Sequence, residues 1–205
     1  MKSTIKKSTF KAIYRLLDRV SPVPYDCGQL CGSACCMSED TDPDSFGIYL
    51  LPGEEKLFTG DEDWLTWSWD MAEDYDFPDS WHGKVYFIKC NTPPVCERAM
   101  RPLQCRTYPL APHIDVIEEE GERKEVLRLI LSDIDAPYSC PLIDGQMDDE
   151  TDDEEASGLD ERFVKATYTV WNRLIKDPLI HDLVLLDSLG RNSRFKPIYL
   201  GTNEV

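Results

Sequence analysis

The sequence predicts an α+β fold: a small, irregular, cysteine-rich and metal-centred domain with short strands, flanked by N- and C-terminal helices. Three observations predict it. Apolar residues recur at helical spacing near both ends of the chain, short β-branched and aromatic runs bounded by turn residues lie between them, and eight cysteines fall between positions 27 and 140. The 205 residues suit a single domain, read as an N-terminal helix at 1–22, a cysteine-rich core at 23–143, an acidic loop at 144–156 and C-terminal helices at 157–205. A chain of this length buries enough surface to fold without disulfide staples, so the cysteines need another reason.

The N-terminal helix rests on Ile13, Leu16, Leu17 and Val20, with Lys11, Arg15 and Arg19 between them. Pro22 and Pro24 end it, because proline lacks a donor and forces its predecessor out of helical geometry. The segment 26–36, with Gly28 and Gly32 among cysteines, reads as a tight loop able to wrap an ion. A strand at 45–51 runs into a Pro52-Gly53 turn, and a second at 84–88 delivers Cys90. The acidic, aromatic stretch 61–81, with Trp64, Trp67, Trp69, Tyr75, Phe77 and Trp81, is expected to supply aromatic rings to the core rather than a stacking platform for a ligand. Strands at 113–117 and 125–131 flank the polar stretch 118–124 as a hairpin. The run 144–155 is acidic and solvated, without the glycine and ligand spacing of an EF-hand loop. Asp160 sits where an acid caps a helix, and Phe163, Ala166, Thr167, Val170, Trp171 and Leu174 form one face of that helix. Asp177-Pro178 opens another, with Gly190 near its end.

Charge and targeting signals narrow the partners. Asp and Glu total 39 against 22 Lys and Arg, a formal charge of −17. Such a surface repels phosphate backbones and anionic headgroups, so neither nucleic acid nor membrane is an expected partner. The N-terminus is basic, but Lys11, Arg15, Asp18 and Arg19 interrupt any apolar signal core. No stretch approaches the roughly 18 apolar residues of a membrane span. The expected location is the cytoplasm, where clustered thiols bind metal or act in catalysis more often than they form disulfides.

The cysteines stand at 27, 31, 35, 36, 90, 96, 105 and 140. An isolated cysteine is ordinarily a small buried hydrophobe, which does not account for four within ten residues of a glycine-bearing loop. A soft cation takes about four thiolate or imidazole ligands at roughly 2.0–2.3 Å. Ligands close in sequence cost little loop entropy to gather, and distant ones then close the site. All eight are candidate ligands. Arg98, Arg101 and Arg106 cluster near Cys96 and Cys105 in an acidic chain, and are candidates for hydrogen bonding to thiolates or holding an anion beside them. Of the histidines, His113 is a candidate ligand or supporting donor, His181 reads as a satisfied structural residue, and His82 carries the least signal.

The order Cys27-x3-Cys31-x3-Cys35-Cys36, then Cys90 and Cys96, then Arg101-Pro102-x2-Cys105-Arg106-Thr107-Tyr108-Pro109, then Cys140-Pro141 resembles the YkgJ-like family of zinc- or iron-chelating proteins. That family carries C-x2-C-x3-C-C, a later cysteine pair, R-P-x2-C-R-x-[FY]-P and a trailing C-P. The resemblance spans 27–141, and this chain has three residues between Cys27 and Cys31 where the family has two. A related group, the flagellin lysine methylases, has a similar cysteine set that the resemblance links to an iron–sulfur cluster.

Four cysteines satisfy an all-thiolate zinc site or a [4Fe–4S] cluster equally. Eight could serve two zinc sites, one cluster with spare thiols, or one site with the remainder buried. Zinc is the ion expected in a crystal, since clusters are lost in air, and an iron–sulfur cluster is the alternative in the cell. Three functions follow: a closed structural metal site on a partner-binding protein, a metal-dependent protein-modifying enzyme of the methylase kind, or metal delivery and storage. No phosphate loop, G-x-S-x-G elbow or H-E-x-x-H motif supports a more particular chemistry.

Overall fold

The computed structural model describes residues 1–36, 48–91, 101–119, 121–132, 140–144, 158–191 and 197–204. Among them the architecture is mixed α+β. The helices are α1 (Lys7–Leu17), α2 (Gly28–Cys31), α3 (Leu103–Thr107), α4 (Pro141–Asp144), α5 (Glu161–Leu174) and α6 (Pro178–Gly190). The strands are β1 (Ile48–Tyr49), β2 (Leu65–Met71), β3 (Lys84–Cys90), β4 (Leu110–Glu119), β5 (Glu122–Leu131) and β6 (Pro197–Glu204). They form two antiparallel sheets of three, ordered β1-β3-β2 and β4-β5-β6. No helix among the described residues is long and apolar enough to cross a membrane.

Helix α1 buries Phe10, Ile13, Tyr14 and Leu17, an i, i+3, i+4, i+7 stripe. The stripe begins a turn earlier than Ile13 and turns Leu16 outward, 37 % exposed. The helix also stops at Leu17, well before Pro22, and Val20 lies beyond it. Helix α5 follows its sequence pattern closely. The Asp160 carboxylate accepts from the Arg162 N–H at its start, and Phe163, Ala166, Thr167, Val170, Trp171 and Leu174 are all buried. Helix α6 begins with Pro178, which has no N–H to leave unpaired, while Asp177 Oδ1 accepts from the Leu179 and Ile180 N–H groups.

The hairpin between β4 and β5 is longer than its apolar runs suggest. Pairing continues from Leu110↔Leu131 to Glu119↔Glu122, through residues expected in the loop. Opposite charges carry the extension: Glu118 lies across from Arg123, and Lys124 Nζ pairs with Glu119 at 3.1 Å. Strand β6 pairs antiparallel with the other edge of β5. Neither β6 nor β2 was anticipated from the sequence. Of the strand expected at 45–51, Ile48–Tyr49 is β1, and 45–47 lie outside the described residues, as does the acidic loop beyond Asp144.

The main core is aliphatic and aromatic. It gathers Phe10, Ile13 and Leu17 of α1, Phe163, Val170 and Leu174 of α5, Leu179 and Ile180 of α6, Leu110 and Ile114 of β4, Leu127 and Leu129 of β5, and Val85 and Phe87 of β3. On the opposite face of β3, Ile88 packs with Leu50, Phe58 and Leu65, and Trp64 and Trp67 close over them. The aromatic stretch thus feeds two cores, since Tyr75, Phe77 and Trp81 join the first. Trp69 is the exception: it is 54 % exposed, with Lys84 Nζ 3.6 Å from its ring centroid. The centre of the described fold is therefore apolar, and among the described residues no group of side chains that could hold a metal is found.

Asp177 also fastens the N-terminal segment. Its second carboxylate oxygen accepts from the Thr4 N–H at 2.7 Å, the Thr4 hydroxyl at 2.8 Å and the Ser3 hydroxyl at 3.2 Å. Asp177→Ala should cost about 2–3 kcal/mol, combining a lost cap with lost hydrogen bonds to a charged acceptor. The midpoint of urea denaturation should fall with its slope unchanged, and a loss below about 0.5 kcal/mol would show that the contacts contribute little.

Candidate metal centre

The loop from Cys27 folds back on itself for local reasons. Asp26 Oδ1 accepts from the Gly28 N–H at 3.2 Å and starts the single turn of α2, with Cys27 at its N-terminal boundary and Cys31 as its last residue. Gly32 then adopts φ +62°, Ser33 follows at φ +61°, and the Ser33 N–H closes the turn onto Gly28 O at 3.0 Å. Two consecutive left-handed residues reverse the chain, and glycine takes the first of them without steric cost. A 3₁₀ turn at Ala34–Cys36 follows, which returns Cys35 towards Cys27 and Cys31.

A cavity of about 30 Å³ lies against this loop, and Cys27, Cys31, Cys35 and Cys140 all line it, together with Asp26, Arg101, Tyr108 and Pro109. Cys140 arrives from more than a hundred residues away, is buried within the main core, and opens α4, whose Ile143 and Asp144 N–H groups bond to its carbonyl. Cys27 and Cys31 are half-buried and Cys35 is exposed, so the cavity meets solvent on the loop side. No disulfide joins the cysteines at 27, 31, 35, 90, 105 and 140 to one another. Among the described residues, no three His, Cys, Asp or Glu side chains are drawn into a group that could hold an ion. The cavity thus brings together the right donors for a soft cation, in the right number, without closing them on one point.

The other candidates are placed elsewhere or fall outside description. Cys90 ends β3 opposite Leu65, and Cys105 sits half-buried in the middle of α3; neither lines the cavity. Cys96 and Arg98 lie outside the described residues, as does the side chain of Cys36. Arg101 is at the cavity wall, on the lining that Cys27, Cys31, Cys35 and Cys140 share. Arg106 turns instead to α1: its guanidinium stacks 4.0 Å over the Tyr14 ring, pairs with Asp18, and donates from Nε to the Arg101 carbonyl at 2.6 Å. Its role is to fix the backbone that presents Arg101. His113 pairs with Asp115 at 3.1 Å, His181 with Glu125 at 2.8 Å and His82 with Glu73 at 3.3 Å, so the histidines belong to surface and sheet contacts and not to the cavity.

The residue that sequence reasoning missed is Glu54. It stands in the charged run Gly53-Glu54-Glu55-Lys56 after the Pro52-Gly53 turn, yet it is 0 % exposed. Its carboxyl accepts from the Tyr14 hydroxyl at 2.5 Å, the Leu51 N–H at 3.0 Å and the Leu103 N–H at 2.7 Å. Leu103 is the first residue of α3, whose leading N–H groups have no partner within the helix, so Glu54 anchors the start of the cysteine- and arginine-bearing segment 101–107. Burial pushes its carboxyl above the ordinary value of 4.5, against the pull of its donors and of Arg106. Burial also pushes the Tyr14 hydroxyl up, reinforced by the charge of Glu54 and by the bond to it. No local signal marks Glu54: only its non-local donors distinguish it from Glu55.

A scan of protein-family models, a search of curated proteins and a search of solved structures each returned no match.

Glu54→Ala leaves three buried donors without an acceptor and should cost about 2–4 kcal/mol. The pH dependence has a definite sign. A carboxyl raised on folding contributes stability that is fully present below its unfolded value and is lost as pH rises through the folded one. The stability of the wild type relative to Glu54→Gln should therefore fall as pH climbs above 4.5. Denaturation of both proteins from pH 4 to pH 8 measures this difference, and an increase with pH would show that the carboxylate is held in its charged form.

Proposed function

We propose that this protein binds a metal through cysteine thiolates, with Cys27, Cys31, Cys35 and Cys140 as the ligands of one zinc ion or one iron–sulfur cluster. The observation that carries the reading is that these four thiols, from two segments far apart in sequence, line a single small cavity. The donor set fits the group. Four sulfurs match a closed tetrahedral zinc site or the four irons of a cubane, and Arg101 at the wall offsets the negative charge that four thiolates would concentrate. Metal binding and local folding are coupled in sites of this kind, so the ion itself would draw the exposed Cys35 loop onto the buried Cys140. The resemblance to YkgJ-like proteins supports the same chemistry, since Cys27, Cys31, Cys35, Arg101 and Cys140 all belong to the shared pattern. Four protein ligands would leave no open position, which favours a structural or carrier role over Lewis-acid catalysis.

A second reading, metal delivery, is favoured by the exposure of Cys35 and the half-exposure of Cys27 and Cys31. Exposed thiolates exchange ligands readily, so a carrier would give up its metal quickly to a competing chelator and a structural site slowly.

Anaerobic purification, elemental analysis and a visible spectrum test the proposal. Expected is bound zinc in colourless protein, or iron with acid-labile sulfide in brown protein. Cys140→Ser should weaken metal binding more than about tenfold, whereas Cys105→Ser should retain the metal. Freshly prepared protein that is folded and free of both metals would refute the assignment, and equal loss in the two variants would move the site away from this cavity.

A further inference from the structure

The N-terminal stretch, rich in positive charge, lies against a groove. Six of the 22 Lys and Arg fall in the first 20 residues, which hold a single acid, Asp18. Lys7, Lys11 and Arg15 recur at i, i+4 spacing along α1, Arg19 continues the row, and all four are exposed. Like charges at this spacing destabilise a helix by a few tenths of a kcal/mol per pair. Among the described residues none of them makes an ion pair, although Lys165 on the neighbouring α5 is paired with Glu161 and Arg106 on α3 has taken Asp18. Beside this row, α1 and α5 enclose a groove of about 420 Å³ lined by Ser8, Thr9, Ala12, Leu16, Thr169 and Arg173, with Ile13 and Val170 at its floor. Helical geometry sets Arg15 on the side of α1 next to Ala12, with Arg19 in the turn just after the helix, so cations stand at one lip of the groove and Arg173 at the other.

We infer that this groove is a docking site for an acidic amphipathic helix of a partner protein. Two antiparallel or crossing helices with an apolar floor between them accept the apolar stripe of a third. Unpaired arginines on both lips complement carboxylates that flank such a stripe. The occupant is a helix rather than a bilayer because Ile13 and Val170 on the floor are buried, and the exposed rim is small or polar at Ser8, Ala12, Thr169 and Arg173, with Leu16 its one large apolar residue at 37 % exposure, whereas membrane-binding helices present protruding apolar faces. A nucleic acid is disfavoured because its dense charge would also meet the rest of a chain whose net charge is −17, while a short helix presents only a few carboxylates to this cationic strip. The inference stands on α1 and α5 and does not depend on the cysteine cavity.

The test uses the full-length protein and a fluorescein-labelled helical peptide in which pairs of Leu at i, i+4 are flanked by Glu and Asp. Fluorescence anisotropy should show saturable binding that weakens with added salt. The double variant Arg15→Glu, Arg173→Glu should weaken it at least about tenfold, or 1.4 kcal/mol. Arg15→Glu places an acid between Lys11 and Arg19 and so relieves repulsion within α1, which keeps the variant folded; circular dichroism verifies this. The same peptide with Gln and Asn in place of its acids should not bind. Absence of binding, binding unchanged in the double variant, or stronger retention on phosphatidylserine vesicles than on the peptide would each overturn the inference.

Discussion

A buried carboxyl group holds three parts of this molecule in register. Glu54 accepts hydrogen bonds from a tyrosine on the N-terminal helix, from the backbone beside its own turn, and from the first amide of α3. Taking a carboxylate out of water is costly, and burial is the largest influence on its ionisation. The cost is offset by satisfying donors that would otherwise be orphaned in the same interior, the leading N–H of a helix among them. Because those donors come from separate segments, the group specifies which segments meet, in a way that apolar packing alone does not.

From that point the geometry propagates to the cavity. Arg106, one helical turn along α3, stacks on the same Tyr14 that bonds Glu54, pairs with Asp18 and holds the carbonyl of Arg101. Segment 101–107 is therefore clamped at both ends against α1, and Arg101 is delivered to the wall that the cysteine loop and Cys140 complete. Cys140 lies buried within the main core, while the loop that carries Cys27, Cys31 and Cys35 depends on two left-handed residues and a single helical turn. The proposed metal site would thus take one ligand from the buried core and three from a short loop. Both the structural and the carrier readings draw on this asymmetry.

Elements with strong local signals were legible. The face of α5 and the caps at Asp160 and Asp177 followed from periodicity and side-chain chemistry that act within a few residues. Strand β3 and the hairpin partners β4 and β5 followed from β-branched and aromatic runs. The boundaries were less legible, because cross-strand pairing of Glu118 with Arg123 carries a strand through residues that look like loop. Strand β2 was missed although Leu65-Thr66-Trp67-Ser68-Trp69-Asp70-Met71 alternates apolar and polar residues, because its tryptophans were read as a source of core rings; β6 lacks such alternation and is held by β5, distant in sequence. The metal-centred architecture rests on the cysteine count alone, and the described residues show the apolar core without a metal group.

By itself the sequence determined the α+β class, the helices at both ends, and a cysteine set of the type that soft cations use, since residue type and short-range spacing govern each of these. The tertiary structure alone decided that Cys27, Cys31, Cys35 and Cys140 share a cavity while Cys90 and Cys105 do not, that Arg101 and Arg106 part company, and that Glu54 is buried while Glu55 is not. These outcomes depend on which distant segments pack together. That is settled by the shared burial of apolar surface and the pairing of donors with acceptors across the whole chain, which no local pattern encodes.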